Sequence, residues 1–365
     1  MKTNQKSSII GQLFETKSIY LYGAGTIGKE VINILTDQGL IVKSFIDKKM
    51  PRTSVEGISV LKPDDETFSM EEKENSLVIL SFFNAYVSVV DIINYLKKIG
   101  WRNIVTFLEF HNQFSYELGN RYWLTRIDYY ADKIKLIEYG SDLWADSKSK
   151  DLYNSIINFR LTMDYSKLPD PQLDKQYFPE DVPGWEYPLN FVDCGAFDGD
   201  TLRYIRKNNI SANKIAAFEP DLSNYKLLVA ECSTLDKEIS LFPCGVWSSS
   251  TQLKFNSGGG SGSALNNNGN TIIQCVSIDE TLINFRPNLI KMDIEGAEFA
   301  ALIGAKNTII THKPGLAICL YHNPEHIWQI PLLIKSWNLD YTFYLRCHYF
   351  SGFELVMYAI PNRTS

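Results

Sequence analysis

The stretch Phe191-Val192-Asp193-Cys194-Gly195-Ala196-Phe197-Asp198-Gly199-Asp200-Thr201 constrains the chain more than any other. It reads as a buried strand ending in an acidic glycine turn that runs straight into an amphipathic helix, with Leu202 and Ile205 on one face. Gly195 and Gly199 free the backbone to turn sharply and let a ligand approach closely. The helix start after Asp200 leaves N–H groups unpaired. That is the local architecture of a ligand-binding loop in a doubly wound α/β fold.

The charge of the loop selects among ligands. Asp193, Asp198 and Asp200 crowd one turn, where a pyrophosphate would meet like charge at short range. S-adenosylmethionine carries a sulfonium and an ammonium and no phosphate, so it is the better guest. A second strand, Lys214 to Phe218, ends at Glu219-Pro220, and an acid at that place is positioned for two ribose hydroxyls. The expected cofactor contacts are Asp193, Gly195, Ala196, Phe197, Asp198, Thr201, Glu219 and Pro220. Gly245 and Val246, at the end of the third strand, are expected to face the adenine, the alternative being that Val246 and Trp247 are simply core.

Composition narrows the class. The chain has 365 residues, 45% hydrophobic, and a formal net charge of −6 with no basic patch, which argues against nucleic acid as a general partner. No apolar run approaches the ~18 residues of a membrane span, and the polar start lacks a signal-peptide core, so a cytoplasmic protein is expected. Six cysteines show neither CxxC spacing nor a Cys/His cluster. They read as buried thiols, and no metal site is assigned.

A second glycine turn lies near the start. The apolar strand Ser18 to Tyr22 runs into Gly23-Ala24-Gly25-Thr26-Ile27-Gly28-Lys29, followed by a helix that stops near Gly39. The next strand, Ile41 to Ile46, ends at Asp47, where a dinucleotide-binding fold places its ribose-binding acid. Gly23, Gly25, Thr26, Ile27, Gly28 and Asp47 are therefore candidates for holding a nucleotide, NAD(P) or a nucleotide sugar. Glycine turns of this kind also serve helix–sheet packing alone. With strands at 77–80 and 104–107 and a helix at 86–99, residues 1–110 read as a small Rossmann-like domain.

Residues 111–188 read as a connector of helical, tyrosine-rich segments followed by Pro169, Pro171, Pro179, Pro183 and Pro188. It either caps the following domain or packs the domains together, the latter being the simpler expectation. Residues 189–365 supply strands near 191–194, 214–218, 239–242, 289–292, 316–321, 341–346 and 354–360, the last two as an antiparallel hairpin. Between two further strands, the loop 256–270 carries Ser261 and Ser263 as candidate substrate donors. Asp293 and Glu295 follow the strand expected beside the first one, at the switch point where ligands bind.

Several motifs in order carry a family resemblance: FVDCGAFDGDT (191–201), FEP (218–220), VSIDE (276–280), LIKMDIEGAE (289–298), YHNPEHIWQIP (321–331) and FYLRCHY (343–349). About half the chain resembles the FkbM family of S-adenosylmethionine-dependent methyltransferases, and Gln176-Tyr177-Phe178-Pro179 resembles the approach to that domain in some members. Arg346-Cys347-His348 departs from a more usual Arg-His-His run. The resemblance implies a class I methyltransferase fold, a doubly wound seven-stranded sheet, preceded here by the smaller Rossmann-like domain and the connector. It also implies O-methylation, often of sugars or other secondary metabolites.

Methyl transfer needs in-line alignment and help for a hydroxyl losing its proton. His322, at a strand end, is the first candidate base, with Asp293 and Glu295 beside it. A divalent cation such as magnesium on Asp293, Glu295 and Glu298 ranks below simple acid–base chemistry. The competing reading is a nucleotide-binding protein or oxidoreductase acting through the N-terminal loop. Expected partners are a small-molecule or glycan acceptor, with no nucleic acid and no membrane span, and a homo-oligomer is compatible with the sequence.

Overall fold

The computed structural model describes residues 11, 18–49, 54–233, 237–256, 269 and 271–362. Ser261 and Ser263 lie outside them. The chain divides into two compact units, one formed by the part up to Asp132 with Ser155–Asp170, the other by Lys133–Asn154 with the part from Pro171 onward. Residues 111–188 are thus shared between the two units.

In the first unit, the strands are β1 (Ile19–Tyr22), β2 (Val42–Ile46), β3 (Ser54–Val55), β4 (Ile58–Leu61), β5 (Leu77–Leu80) and β6 (Asn103–Val105). They form one sheet in the order β3-β4-β2-β1-β5-β6. All pairings are parallel except the β3/β4 hairpin. β1 and β5 are apolar throughout and buried at every position, as central parallel strands must be. Tyr20 packs its ring edge-on against Phe68 and Trp101 at 5.4 and 5.1 Å. The hairpin was not legible beforehand. It turns on Glu56 and Gly57, both at positive φ, which suits a two-residue turn.

The glycine turn after β1 leads into the helix Thr26–Asp37. Gly23 sits at φ +109, and a Cβ on Gly28 would come within 2.5 Å of the Gly23 carbonyl and 2.8 Å of the Phe45 ring. Two of its glycines are therefore required by packing. Gly25, in contrast, has open space where a side chain would stand.

The second unit holds β7 (Leu189–Cys194), β8 (Ala212–Phe218), β9 (Glu238–Phe242), β10 (Gly245–Val246), β11 (Thr251–Phe255), β12 (Thr271–Val276), β13 (Leu289–Met292), β14 (Gly315–Cys319), β15 (Tyr341–Cys347) and β16 (Leu355–Pro361). Seven of these form a sheet in the order β15-β16-β14-β13-β7-β8-β9, parallel from β14 to β9. β16 enters antiparallel between β14 and β15. The chain leaves β7 toward β8 and β9, then returns on the other side through β13 and β14. That reversal opens a crevice at the carboxyl ends of β7 and β13.

The remaining strands make a small sheet, β10-β12-β11, over a core of Phe255, Ile273 and Cys275 with Trp247 and Leu253 against it. All six cysteines are free thiols. Among the described residues no helix is long and apolar enough to cross a membrane.

Gly28→Ala is expected to destabilise the protein by about 1–3 kcal/mol, because a methyl group has to displace backbone or the Phe45 ring. Urea unfolding of the two proteins checks it, and an unchanged midpoint would show that the turn yields freely.

Candidate functional site at the sheet switch point

β7 is buried on both faces and carries Asp193 at its carboxyl end. The β7/β13 register sets Lys291 directly beside Asp193, on the same face. Both are withdrawn from water, at 2% and 0% exposure. Lys291 Nζ donates to Asp193 Oδ1 at 2.9 Å and to the Gly195 carbonyl at 2.7 Å, and lies 5.1 Å from the Tyr177 ring centre. Burial pulls Lys291 toward neutrality, but Asp193, Asp293 and Asp200 outweigh it and hold the ammonium charged. Burial pushes Asp193 up to about 6, against the pull of Lys291. Asp193 therefore acts first as half of an ion pair. Its Oδ2 is buried without a partner among the described residues.

The turn that follows admits only glycine at its first position. A Cβ on Gly195, at φ +79, would fall 1.9 Å from the Asp293 carbonyl oxygen. The Gly195 and Ala196 N–H groups both donate to the Phe218 carbonyl, and Phe197, at φ +48, donates its N–H to Glu219 Oε2 at 2.9 Å. Glu219 Oε1 accepts from the Asp221 N–H at 2.8 Å. The Asn224 side chain also bonds Glu219. Burial pushes Glu219 up to about 7. Gly199, at φ +85, then opens the helix Asp200–Lys207, where the Thr201 side chain is buried and Asp198 pairs with Arg203 at 3.3 Å.

Gly195, Ala196, Phe197, Asp198, Thr201, Glu219 and Pro220 therefore gather around one turn. Gly245 and Val246 stand apart, in β10 of the small sheet. There Gly245 packs on Cys275, and Val246 is 3% exposed.

On the far side of the crevice, β13 runs out at Met292 and the chain turns through Asp293, Ile294, Glu295 and Gly296 into the helix Glu298–Ile303. Glu295 sits at φ +53, a strained setting for a non-glycine residue. Glu298 is fully buried, accepts from the Ile294 N–H at 2.9 Å and pairs with His322 Nδ1 at 2.7 Å. His326 Nδ1 lies 3.3 Å from its other oxygen. Glu298 is thus the anchor of two histidines and not merely a carboxylate at a helix start. His322 turns Nε2 toward Asp293 and Glu295, at 3.5 and 3.6 Å.

This setting acts on the proton affinity of His322. Burial lowers its pKa, but Glu298, Glu295 and Asp293 together raise it to about 10. An imidazolium with no lone pair cannot accept a proton. Burial pushes Glu295 up to about 7, so it remains able to titrate near neutrality. Asp293, Glu298 and His322 bring potential ligand atoms within 4.8 Å of one another.

Three contributors were missed from sequence. Tyr177 Oη donates to Asp293 Oδ2 at 2.7 Å, and Gln176 Nε2 donates to Glu354 at 2.5 Å. Glu354 also accepts from Tyr321 Oη at 2.9 Å. The segment Gln172–Phe178 is held in place by His348, whose Nδ1 donates to the Gln172 carbonyl at 2.7 Å. With Asp200, Thr201, Tyr204 and Tyr349 the segment encloses a cavity of about 310 Å³. The proline-rich connector therefore walls the site. Lys291, a lone cation inside the apolar run Leu289–Met292, was the one signal that pointed to a buried partner.

The N-terminal candidates also come together, around the turn after β1. Asp47 accepts from the Ala24 N–H at 3.2 Å and the Lys49 N–H at 2.7 Å. Lys29 pairs with Glu56 at 2.9 Å. Gly25, Thr26 and Ile27 are exposed or partly so.

Residues 193–348 match the model of the methyltransferase FkbM domain. Over the whole fold, the chain is similar to a crystal structure of methyltransferase FkbM from Methylobacillus flagellatus KT, with a TM-score of 0.78 and 21% identity. The likeness covers 97% of this chain and 93% of that one. No curated protein sequence matches the chain.

Lys291→Met is expected to cost about 3–5 kcal/mol, since it strands a buried carboxylate. Adding Asp193→Leu should recover much of that loss in urea unfolding, and a double variant no better than the single would exclude the pair as the cause. A second expectation concerns pH. Because folding raises the His322 pKa from 6.5 to about 10, its stabilisation is complete below 6.5 and is lost as pH rises through about 10. The difference between wild type and His322→Gln, followed by urea midpoint across that range, should shrink as pH rises.

Proposed function

Starting from an FkbM methyltransferase domain at residues 193–348, we propose that the protein is an S-adenosylmethionine-dependent O-methyltransferase acting on a hydroxyl of a sugar, glycan or related metabolite. The observation that carries this is the Gly195–Gly199 turn at the sheet switch point, with buried Glu219 on one side and the Asp293 carbonyl against its backbone on the other. The residues present fit this cofactor. Glu219 is available to ribose hydroxyls, and the partnerless Asp193 oxygen suits a cationic group. The acids of the turn repel a pyrophosphate. When bound, S-adenosylmethionine supplies a methyl group on a positively charged sulfur.

The chain's own residues supply orientation and proton transfer. The Lys291–Asp193 pair fixes the turn, and Tyr177 holds Asp293 through one oxygen. Asp293 and Glu295 are the carboxylates able to take the acceptor proton. His322, already protonated, holds both in place and offsets their charge. A stacked aromatic pair, Phe178 and Tyr204, lines the cavity beside Asp174 and Asp200, a combination suited to the apolar face and hydroxyls of a sugar ring.

A second reading concerns the N-terminal unit, for which we propose a nucleotide or nucleotide-sugar ligand. It is favoured by Gly25, a glycine with no packing reason at the opening of a helix. Titration with NAD and a nucleotide sugar tests it, and no heat from either would remove it.

For the leading reading, calorimetric titration with S-adenosylmethionine and S-adenosylhomocysteine is expected to show binding of both. Glu219→Ala should weaken both by tenfold or more, about 1.4 kcal/mol. Failure of wild type to bind either ligand would sink the proposal.

A further inference from the structure

The cavity enclosed by the connector segment touches the reacting groups through its own wall. It measures about 310 Å³, at the lower end of the ~300–1,000 Å³ of ligand pockets, a size for one sugar ring and not for a chain of them. Of the side chains that line it, Tyr177 donates to Asp293 and Gln176 to Glu354, while Thr201 belongs to the cofactor turn. A ring held there has the carboxylates on one side and the cofactor turn on another.

The charge of that wall is one-sided. Besides tyrosines, its ionisable groups are Asp174, Lys175, Asp200 and His348. Lys175 is bonded to Glu180, which offsets its charge. His348 engages both ring nitrogens, Nδ1 with the Gln172 and Asp174 carbonyls at 2.7 and 3.2 Å and Nε2 with Tyr358 Oη at 2.7 Å, and burial holds it below its usual pKa. The cation behind the wall, Lys291, is spent on Asp193 and the Gly195 carbonyl. Among the described residues no salt bridge reaches Asp174 or Asp200. The stacked rings of Phe178 and Tyr204, 5.5 Å between centres, add a π-surface that also attracts cations. Among the described residues neither acid joins a group of three ligand atoms close enough to hold a metal ion. Two carboxylates beside aromatic rings match an organic ammonium.

We propose that the acceptor is an amino sugar, held in this cavity with its ammonium on Asp174 and Asp200 and methylated on a ring hydroxyl. The proposal rests on the methyltransferase reading and narrows its acceptor. A protonated amine has no lone pair, so it takes no methyl group and serves as a handle. In the transfer the hydroxyl oxygen forms the bond to the methyl carbon, the carbon–sulfur electron pair stays on sulfur, and the hydroxyl proton passes to Asp293 or Glu295. The same two acids repel a uronic acid or a sugar phosphate. Because Asp174 and Asp200 are exposed, the preference is modest and falls with salt.

Saturation-transfer NMR of the full chain, loaded with S-adenosylhomocysteine, compares glucosamine, glucose, N-acetylglucosamine and glucuronic acid, which share one ring and differ in charge. At about pH 6.5 the amine of glucosamine is protonated. Glucosamine is expected to bind about three- to tenfold more tightly than the two neutral sugars at low salt, with glucuronic acid the weakest. The gap should narrow in about 0.5 M salt. It should shrink in Asp174→Asn and close in Asp174→Lys, with S-adenosylhomocysteine binding, followed by calorimetry, as proof that each variant is folded. Glucose or glucuronic acid binding as tightly as glucosamine, no sugar binding at all, or a gap that survives Asp174→Lys would overturn the proposal and leave the methyltransferase reading standing. If S-adenosylhomocysteine does not bind wild type, the cofactor site itself is lost and both fall together.

Discussion

A single ammonium group buried between Asp193 and the Gly195 carbonyl ties the second unit together. Lys291 lies on β13, its carboxylate partner on β7, its carbonyl partner in the glycine turn, and the ring beneath it on the connector. Three segments distant in sequence converge on one charge. A buried ion pair of this kind contributes little net stability compared with apolar packing, but it is costly to break and admits few alternative geometries. Its value here is positional. It holds the turn at the height where Gly195 touches the Asp293 carbonyl, and so brings the two sides of the crevice together.

The second organising fact is an excess of acid in a poorly hydrated place. Asp293, Glu295, Glu298 and Glu354 surround His322, with His326 behind Glu298. Electrostatics then divides the work. Glu298, with two histidine partners and a backbone donor, is held well below the usual carboxylate range, although burial alone would raise it. Glu295 and Glu354 lie above that range, because burial and neighbouring acids dominate there. The cluster thus sets one acid held ionised beside others whose charge burial opposes. Glu295 and Glu354 both sit at positive φ, a strained setting for a non-glycine residue.

Much of this was legible in local sequence. The strand, glycine turn and helix at 191–201 form as the apolar run and the glycines dictate, and Glu219 comes to the turn from the end of the next strand. The two glycine turns also sort themselves. Gly23 and Gly28 answer to packing in the first unit, and Gly195 answers to the close approach of β13 in the second. What the sequence left open has a common form. His322 looked like a base because a lone histidine at a strand end has an ordinary pKa until its neighbours are known. Glu298, Glu295 and Asp293, all from one segment, raise it. The pairing of β10 with β12, which buries Val246, was not legible from the residues around it.

The sequence alone therefore determined what depends on neighbours along the chain: the strands, the sharp turns, and the acidic character of the loop. Periodicity and glycine conformation act over a few residues, and both can be read directly. Tertiary structure decided which charges meet. The register of β7 against β13 set Lys291 on Asp193, and the antiparallel entry of β16 carried Glu354 to Tyr321 and Asp293. Protonation in a buried cluster depends on distances between residues far apart in the chain, and those distances exist only once the sheet has closed.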